Sequence, residues 1–322
     1  MNEDILSILG HQIKLGEQKT INLNIAKLYT STKVEIPIIV ERAPIPGPTV
    51  LITAGIHGDE INGVEIVRQL IRKKINQPSK GTIICIPVLN VFGFLSMDRY
   101  FPDGRDLNRV FPGSKSGSLA SRFAYQFTKE ILPVADLCLD FHTGGASRFN
   151  APQVRIADEN SKNIELAKVF NAPFILLSKN LSKSYRSTCA KMNKNIILFE
   201  GGKSQSSNKQ IAEKGVEGTK RLLEHLGMLN QNLQVETQTQ NTVLIKKSGW
   251  LRAKYSGLLH LKISCGAFVE KGQHIATITD PYGTMRHVIK ASENGYIINT
   301  NEAPIVYQGD AIFNIGKIYE NV

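Results

Sequence analysis

The chain has 322 residues, of which 42% are hydrophobic and 21% are charged, and its formal net charge is +11. A chain of this size and ordinary globular composition can bury one large core, or one core with a smaller appended domain. The basic residues are scattered, without an aromatic-interleaved stripe or a basic tail, so nucleic-acid binding is not expected.

No apolar segment approaches the roughly 20 residues that a membrane-spanning helix needs, so no membrane span is expected. The N-terminal residues lack the apolar core of a signal peptide. The cysteines are isolated from one another, which argues against a disulfide framework and favours a reducing compartment. These features predict a cytoplasmic protein. They leave its oligomeric state open, and a homo-oligomer is compatible with them.

Up to about residue 230, short β-rich segments alternate with segments of helical periodicity. Strands are predicted at residues 34–42, 50–54, 82–89, 136–141, 153–157, 174–177 and 196–200. Helices are predicted at residues 62–75, 118–132, 161–170 and 211–226, with a weaker one at 184–192. This alternation is typical of an α/β fold with a mixed, mostly parallel central sheet flanked by helices. Ligands in that architecture bind beyond the carboxyl ends of the strands.

The composition changes after residue 230. Residues 231–242 are polar and rich in Gln and Asn, which indicates a linker between a domain at 1–230 and a domain at 243–322. Glycines punctuate the last segment without a helical period, so a small β-rich domain is predicted there. Residues 265–280 resemble half of a lipoyl- or biotinyl-type barrel-sandwich without the lysine turn that carries a prosthetic group. Shielding of the active site or assembly is the role expected of this domain.

The first motif with chemical content is Gly55-Ile-His57-Gly-Asp-Glu60, directly after an apolar segment. His142 closes a second such segment much further along the chain. A single turn can aim His57 and Glu60 at one point, and the flanking glycines permit unusual backbone angles there. Two histidines and one glutamate form the protein ligand set of a catalytic zinc ion, with a fourth position left for water. We therefore predict one zinc ion per chain.

A second cluster lies between Arg99 and Arg109, where arginines, aspartates and an asparagine are bracketed by proline and glycine. That composition predicts a loop, and loops on a rigid scaffold often carry function. A guanidinium group matches a carboxylate in a planar fork, so Asn108 and Arg109 are predicted to bind a substrate carboxylate. The alternative is a solvated turn with internal salt bridges.

Glu200 ends another apolar segment and precedes two glycines. A carboxylate at the carboxyl end of a strand is placed to act as a general base on a water molecule at the metal. Taken alone, Glu200 could equally cap a helix or serve as an ion-pair partner.

Four motifs occur in order along the chain: Gly55-x-His57-Gly-x-Glu60, Asp106-Leu-Asn108-Arg109, Asp140-x-His142-Thr-Gly and Phe199-Glu200-Gly-Gly. With this order and spacing, roughly residues 30–225 resemble the succinylglutamate desuccinylase/aspartoacylase family, a branch of the zinc carboxypeptidase-like hydrolases. The resemblance implies the zinc carboxypeptidase-like fold. Longer members of the family also carry a β-rich C-terminal domain.

The resemblance also implies roles for individual residues. The zinc ligands would be His57, Glu60 and His142. Asp106 would orient a ligand histidine, as such sites usually require. Arg99 would polarise the scissile carbonyl group, and Glu200 would act as general base and then as general acid.

The substrate implied by the resemblance is a small acylated amino acid with a carboxylate. Asn108 and Arg109 would bind its α-carboxylate, and Arg186 would reach the acyl-side or side-chain carboxylate. Arg148 and Arg155 are lesser candidates for that second task. The leading prediction is therefore a zinc-dependent amidohydrolase that deacylates an N-acyl amino acid or a related small N-acylated amine.

Two other functions stay open at this point. A zinc carboxypeptidase acting on short peptides would use the same metal set and the same carboxylate clamp. A non-catalytic zinc-binding or docking protein could keep the fold without the reaction, although the complete set of candidate residues speaks against it.

Overall fold

Strands and helices alternate along the first two thirds of the chain, and strands alone follow. The computed structural model describes residues 4–158, 162–236 and 241–322. The strands before residue 237 are β1 (Leu6–Ile8), β2 (His11–Ile13), β3 (Gln18–Lys27), β4 (Lys33–Arg42), β5 (Thr49–Ala54), β6 (Thr82–Ile86), β7 (Leu137–Gly144), β8 (Arg148–Ile156), β9 (Phe174–Leu177) and β10 (Asn195–Lys203). The helices are α1 (Ile61–Arg72), α2 (Val91–Ser96), α3 (Leu119–Glu130), α4 (Lys162–Phe170), α5 (Tyr185–Lys191) and α6 (Lys209–His225).

The strands after residue 240 are β11 (Val243–Arg252), β12 (Gly257–Leu261), β13 (Phe268–Val269), β14 (His274–Thr279), β15 (Arg286–Lys290), β16 (Gly295–Asn301), β17 (Ile305–Val306) and β18 (Ala311–Asn321). They confirm the predicted β-rich C-terminal domain. The predicted linker at 231–242 includes residues 237–240, which lie outside the described residues, so the linker and the domain boundaries stay predictions.

A twelve-stranded sheet runs through the molecule in the order β13-β16-β18-β11-β9-β8-β10-β7-β5-β6-β4-β3. Its central strands β6, β5, β7 and β10 are parallel neighbours. Antiparallel pairs join β3 to β4, β4 to β6 and β8 to β10. The sheet is therefore mixed, and the expected mostly parallel character is not confirmed. Connections such as residues 145–147 between β7 and β8 are too short for a parallel crossover, which needs about a dozen residues or more.

Helices cover both faces of the central strands, as predicted. Helices α1, α4 and α6 pack on one face, in a core cluster that includes Ile52 of β5. Helices α3 and α5 pack on the other face, in a cluster that includes Leu51. Successive residues of a strand point to opposite faces of the sheet. A strand that is covered by helices on both faces therefore needs a continuous apolar segment.

The predicted strands and helices before residue 230 are present, with shifted ends. The helix predicted at 161–170 corresponds to α4, and its predicted first residue, 161, lies outside the described residues. Strands β1 to β3 and helix α2 were missed. In the edge strand β3 the two fully buried side chains, Ile21 and Leu23, alternate with polar ones, because one face of the strand packs on the core and the other is exposed. Within the described ranges, none of the helices is long and apolar enough to span a membrane.

Some of the C-terminal strands extend the twelve-stranded sheet, and others form a sheet of their own. Strand β11 pairs in parallel with β9, and β16 pairs antiparallel with β8. A separate four-stranded sheet has the order β15-β14-β12-β17. A small apolar cluster joins side chains from both parts of the chain: Ala151, Phe174, Leu176, Val243, Ile245 and Ile298. This arrangement brings the C-terminal strand β16 next to β8, which in turn pairs with β10, where a candidate site residue lies.

Candidate active site

Several of the predicted site residues meet at one edge of the sheet. Strand β5 ends at Ala54, shortly before His57, while β7 contains His142 and β10 contains Glu200. Strand β7 is parallel to both β5 and β10, and Glu200 lies opposite His142 in the register. The carboxyl ends of parallel strands share an edge, so these side chains lie close together.

The turn after β5 depends on glycine. Gly55 has a φ of +61°. Gly58 packs so closely on α2 that a Cβ atom there would lie 1.9 Å from the carbonyl carbon of Gly93. A larger residue at either position would strain the turn or push the helix away. The tight turn delivers His57 and Glu60 to the same point.

His57, Glu60 and His142 form a compact, buried set of donor groups. Their side chains are only 2–4% exposed, and one potential ligand atom of each lies within 4.8 Å of the others. His57 Nδ1 lies 2.6 Å from Glu60 Oε1, and His142 Nδ1 lies 3.0 Å from Glu60 Oε2. Two imidazole nitrogens and a carboxylate oxygen that converge in this way could hold a metal ion, and they match the donors of catalytic zinc sites.

The outer nitrogen of each histidine meets a further carboxylate. His57 Nε2 lies 3.1 Å from Asp106 Oδ1, and His142 Nε2 lies 2.8 Å from Asp140 Oδ2. Such contacts fix the ring orientations, and here they leave both Nδ1 atoms facing Glu60. Asp106 lies where the resemblance implies. Sequence reasoning missed Asp140, although the spacing Asp140-x-His142 could have indicated it, since alternate residues of a strand share a face.

The charges around the donor set favour a bound cation. Burial alone would raise the pKa of the Glu60 carboxyl, but attraction to His57 and His142 holds that pKa well below its ordinary value. Burial opposes the charge on both imidazoles, and the adjoining carboxylates, Glu60 with Asp106 or Asp140, nevertheless raise their pKa. The carboxylates therefore draw positive charge into this buried space. A divalent ion would supply that charge, so the residues present fit zinc.

Replacing Asp140 tests the support of His142. We expect Asp140→Asn to weaken zinc binding about 10- to 100-fold, because the amide keeps the shape but loses the charge that orients and polarises the imidazole. Competition with a chromophoric chelator would measure the affinity. Asp136→Asn, at an exposed aspartate just before β7, is the matched control and should bind zinc as the unsubstituted protein does. Equal zinc affinity in the two variants would contradict this role.

Arg99 lies beside the donor set and is tied to its carboxylates. Its Nη2 lies 2.8 Å from Asp106 Oδ2, and its Nη1 lies 3.4 Å from Glu60 Oε1. The side chain is 27% exposed and lines the same cavity as the histidines. A guanidinium held in this way can stabilise negative charge that develops next to the donor set.

Glu200 lines that cavity too, and two donors hold one of its carboxylate oxygens. Asn150 Nδ2 donates to Glu200 Oε2 at 2.7 Å, and Arg155 Nη2 lies 2.7 Å from the same oxygen. Among the described residues, no hydrogen bond or ion pair involves Oε1. The alternative of a helix cap is wrong, since Glu200 lies inside β10, while the ion pair with Arg155 is present. Oε1 is therefore the oxygen that could accept a hydrogen bond from a molecule in the cavity.

The loop that follows α2 carries Asn108 and Arg109 to the cavity. Asp106 Oδ1 accepts a hydrogen bond from the Asn108 backbone N–H at 2.8 Å and starts a short 3-10 turn over Leu107–Arg109. Asn108 Oδ1 accepts from the Tyr185 N–H at 2.8 Å. Arg109 Nη1 donates to the Asn108 carbonyl oxygen at 2.7 Å. The loop contains both the internal salt bridges and the cavity-lining groups that the sequence left as alternatives.

Arg186 also faces the cavity, from the first turn of α5. Its Nη2 donates to the carbonyl oxygens of Ser178 and Lys179, at 2.8 and 3.0 Å. Its Nη1 is buried without a hydrogen-bond partner in the part of the chain that the structure describes. Burial, with some repulsion from Arg155, lowers the pKa of Arg186 to about 10. An unpaired buried N–H is costly, and an anion bound in the cavity would satisfy it.

The cavity has a volume of about 240 Å³, and C-terminal residues complete its wall. Trp250 of β11 and Asn299 of β16 both line it. The Arg148 guanidinium carbon lies 5.7 Å from the centre of the Trp250 ring. Sequence reasoning missed Trp250 and Asn299, since the glycine-punctuated β pattern does not show which of its residues face another domain.

This fold and this site define a class of protein. It is an α/β protein with a His-Glu-His donor set at the carboxyl ends of its strands and a β-rich domain beside it. Residues 46–226 match the model of the succinylglutamate desuccinylase/aspartoacylase catalytic domain. The chain belongs to the succinylglutamate desuccinylase/aspartoacylase family, which confirms the sequence resemblance.

Relatives of the chain include proteins of assigned activity. It is 30% identical over 304 residues to the N-alpha-acetyl-L-2,4-diaminobutyric acid deacetylase of Halomonas elongata, covering 90% of this chain and 87% of that protein. Two solved structures each share 25% identity with the chain at a TM-score of 0.82, covering 99% of this chain and 100% of theirs. They are a succinylglutamate desuccinylase from Silicibacter sp. TM1040 and the product-bound ectoine utilization protein EutE (DoeB) from Ruegeria pomeroyi.

Proposed function

We propose that this protein is a zinc-dependent deacylase that hydrolyses the amide bond of a small N-acylated amino acid or a related N-acylated amine. The observation that carries the proposal is the position of Glu200, whose carboxylate shares one small cavity with the donor set of His57, Glu60 and His142. Membership of the family supports it, and so does the likeness to a deacetylase across most of both chains.

The charges that line the cavity favour a substrate with a carboxylate. Arg99 is paired with Asp106, and Arg155 is paired with Glu200. Three other guanidinium groups, those of Arg109, Arg148 and Arg186, line the cavity without any ion pair among the described residues. This excess of positive charge in a small, half-enclosed space attracts anions. An acylated amino acid offers the required carboxylate next to its amide bond.

The size of the cavity favours an acylated amino acid over a peptide. Its volume of about 240 Å³ lies below the roughly 300–1,000 Å³ typical of small-molecule pockets. Trp250 and Asn299 close one side of it. A carboxypeptidase needs room for the residues that precede the cleaved bond. The carboxypeptidase alternative therefore has less support from the cavity than deacylation.

Each residue of the site has a task in this reaction. Zinc held by His57, Glu60 and His142 would supply a Lewis acid that lowers the pKa of a water molecule and polarises the acyl carbonyl group. Glu200 Oε1 removes a proton from the water as its oxygen attacks the acyl carbon. The carbon–nitrogen bond then breaks, and Glu200 passes the same proton to the departing amine nitrogen, giving a carboxylic acid and an amine.

The basic residues stabilise charge and hold the substrate. Arg99, beside the donor set, donates hydrogen bonds to the oxygen that becomes negative during attack. Arg109 and the Asn108 amide bind the carboxylate of the amino acid and so fix the amide bond relative to Glu200. Arg186 binds a second anionic group where the substrate has one.

Substrate profiling tests the proposal directly. The zinc-loaded protein should release amino acid from N-acetyl, N-succinyl or longer N-acyl amino acids, and it should release little from unblocked short peptides. Amine release is measured by mass spectrometry, with chelator-treated protein as the control. Cleavage of peptides alone would replace deacylation with the carboxypeptidase function. Absence of turnover on every substrate class would contradict catalysis.

Arg109 gives a test of carboxylate binding. We expect Arg109→Met to raise KM about 10- to 100-fold for a substrate with an α-carboxylate, since charge-assisted hydrogen bonds are lost while shape is largely kept. The matched control is Arg105→Met in the same loop, where the side chain is 53% exposed and pairs with Asp103. The same KM in both variants would show that Arg109 does not bind the substrate.

A further inference from the structure

Two asparagines connect the C-terminal domain to Glu200. Asn299 of β16 lies opposite Asn150 of β8 in the register, and Asn299 Nδ2 donates to Asn150 Oδ1. Asn150 Nδ2 in turn donates to Glu200 Oε2 at 2.7 Å. Strand β8 therefore lies between β16 and β10. The hydrogen bonds from Asn299 to Asn150 and from Asn150 to Glu200 cross all three strands.

The orientation of each amide group follows from Glu200. An ionised carboxylate only accepts hydrogen bonds, so Asn150 must turn its NH₂ group towards Glu200 and its oxygen towards Asn299. Asn299 must then present its own NH₂ group to that oxygen. The two hydrogen bonds therefore run in one direction, because turning either amide around would place two acceptor oxygens next to each other. The first donor is Asn299 of the C-terminal domain, and the last acceptor is Glu200.

Burial makes these two hydrogen bonds rigid. Asn150 is 2% exposed and Asn299 is 6% exposed, so water has little access to replace either hydrogen bond. Glu200 of β10 lies opposite Gln153 of β8, and a register shift after Glu200, with Gly202 at a φ of +75°, brings Asn150 opposite Gly202 where an unbroken register would place Ala151. Such irregularities in a strand often re-aim a side chain at a functional site. Here Asn150, which pairs with Gly202, donates from its side chain to the Glu200 carboxylate.

We infer that Asn150 and Asn299 are positioning residues that hold Glu200 Oε2, so that Oε1 faces the reacting water, and that the C-terminal domain thereby completes the catalytic orientation. The inference rests on the role proposed for Glu200 as proton carrier. Neither asparagine touches the reacting atoms in this scheme. Both act on the rate of the chemical step rather than on substrate affinity, because they orient the base and leave the arginines unchanged.

Isosteric replacement separates this role from simple packing. Asn299→Asp keeps the shape of the side chain but, when ionised, offers no donor to Asn150 Oδ1. We expect its kcat to fall about 10- to 100-fold with KM within about twofold, since a misaligned base costs rate at this scale. Asn301→Asp is the matched control on the same strand. There the amide donates to the Ala311 carbonyl oxygen, away from the site, and kcat should stay unchanged.

A double-mutant cycle tests whether the two asparagines act as one chain. Asn150→Ala should lower kcat at least as much as Asn299→Asp, and the double variant should be no slower than Asn150→Ala alone. Zinc content should be one ion per chain in every variant. Losses that multiply in the double variant, or a kcat of Asn299→Asp equal to that of the unsubstituted protein, would overturn the inference while leaving the proposed function intact.

A structural measurement keeps the two proposals distinguishable. Crystal structures of zinc-loaded Asn299→Asp and Asn301→Asp should show the Glu200 carboxylate turned away from Asn150 in the first variant only. If the unsubstituted protein deacylates no substrate, the proposed function fails, and the orientation of Glu200 in these structures still decides the positioning role. An unmoved Glu200 carboxylate in Asn299→Asp would contradict that role.

Discussion

Glu200→Gln should bind zinc as the unsubstituted protein does and lose about 10²- to 10⁴-fold in kcat, the usual contribution of a general acid–base group. The amide is nearly isosteric with the carboxylate, so the cavity keeps its shape. It cannot take a proton from water at neutral pH, and it has no proton to give to the departing amine. Both halves of the proposed reaction would therefore be slowed by one substitution.

This variant is informative because zinc binding and turnover are measured separately. Metal analysis gives zinc per chain, and steady-state assays on the best N-acyl amino acid give kcat and KM. Glu213→Gln on α6, where the side chain is 51% exposed and pairs with Lys209, is the control and should keep full activity. Full activity in Glu200→Gln would refute the general-base role. Loss of zinc would instead indicate that Glu200 is a ligand.

Removing a ligand histidine should have a different signature. His142→Ala should lose zinc on dialysis and with it all measurable turnover, because Glu60 and His57 alone leave two positions of a tetrahedral site without a protein ligand. Thermal unfolding gives a second readout. Zinc binds the folded protein selectively, so adding it should raise the Tm of the unsubstituted protein and should not raise that of His142→Ala.

The control for this experiment is an exposed histidine outside the donor set. His260 of β12 forms a hydrogen bond with Thr279 Oγ1 in the C-terminal domain. His260→Ala should keep zinc at one ion per chain, show the zinc-dependent rise in Tm, and retain turnover. If His142→Ala retained stoichiometric zinc, the metal would have to be held elsewhere, and the donor set proposed here would be wrong.

The possible metal ligands His57, Glu60 and His142 were predictable because each lies in a short, recognisable sequence motif. His57 and Glu60 share one glycine-flanked turn, and His142 closes a strand of its own. The rule that carboxyl ends of parallel strands share an edge was enough to bring the two segments together. Position along a strand could also have revealed Asp140. For these residues, the sequence pattern alone was enough to predict which side chains lie together in the site.

Strand pairing was not predictable in the same way. An alternation of strands and helices shows which elements exist, but it does not show that β8 turns back antiparallel beside β10. The positions of Asn150 and Asn299 depend on that pairing, since the two residues are far apart in the sequence and become neighbours only through the β16–β8 register. Polar residues in short strands look like ordinary surface groups until their partner strands are known.

The continuous sheet also has a consequence for how the protein is made. A ribosome releases β8 and β9 long before β11 and β16, so the nascent chain presents a sheet edge and half of an apolar cluster, with Phe174 and Leu176 still awaiting Val243 and Ile298. Unpaired edges of this kind are prone to join other chains. A chain released early would therefore keep an unpaired sheet edge and would lack Asn299, the residue that orients Asn150 beside Glu200. The catalytic orientation inferred for Glu200 is therefore expected to be complete only near the end of synthesis, when the C-terminal strands have paired with β8 and β9.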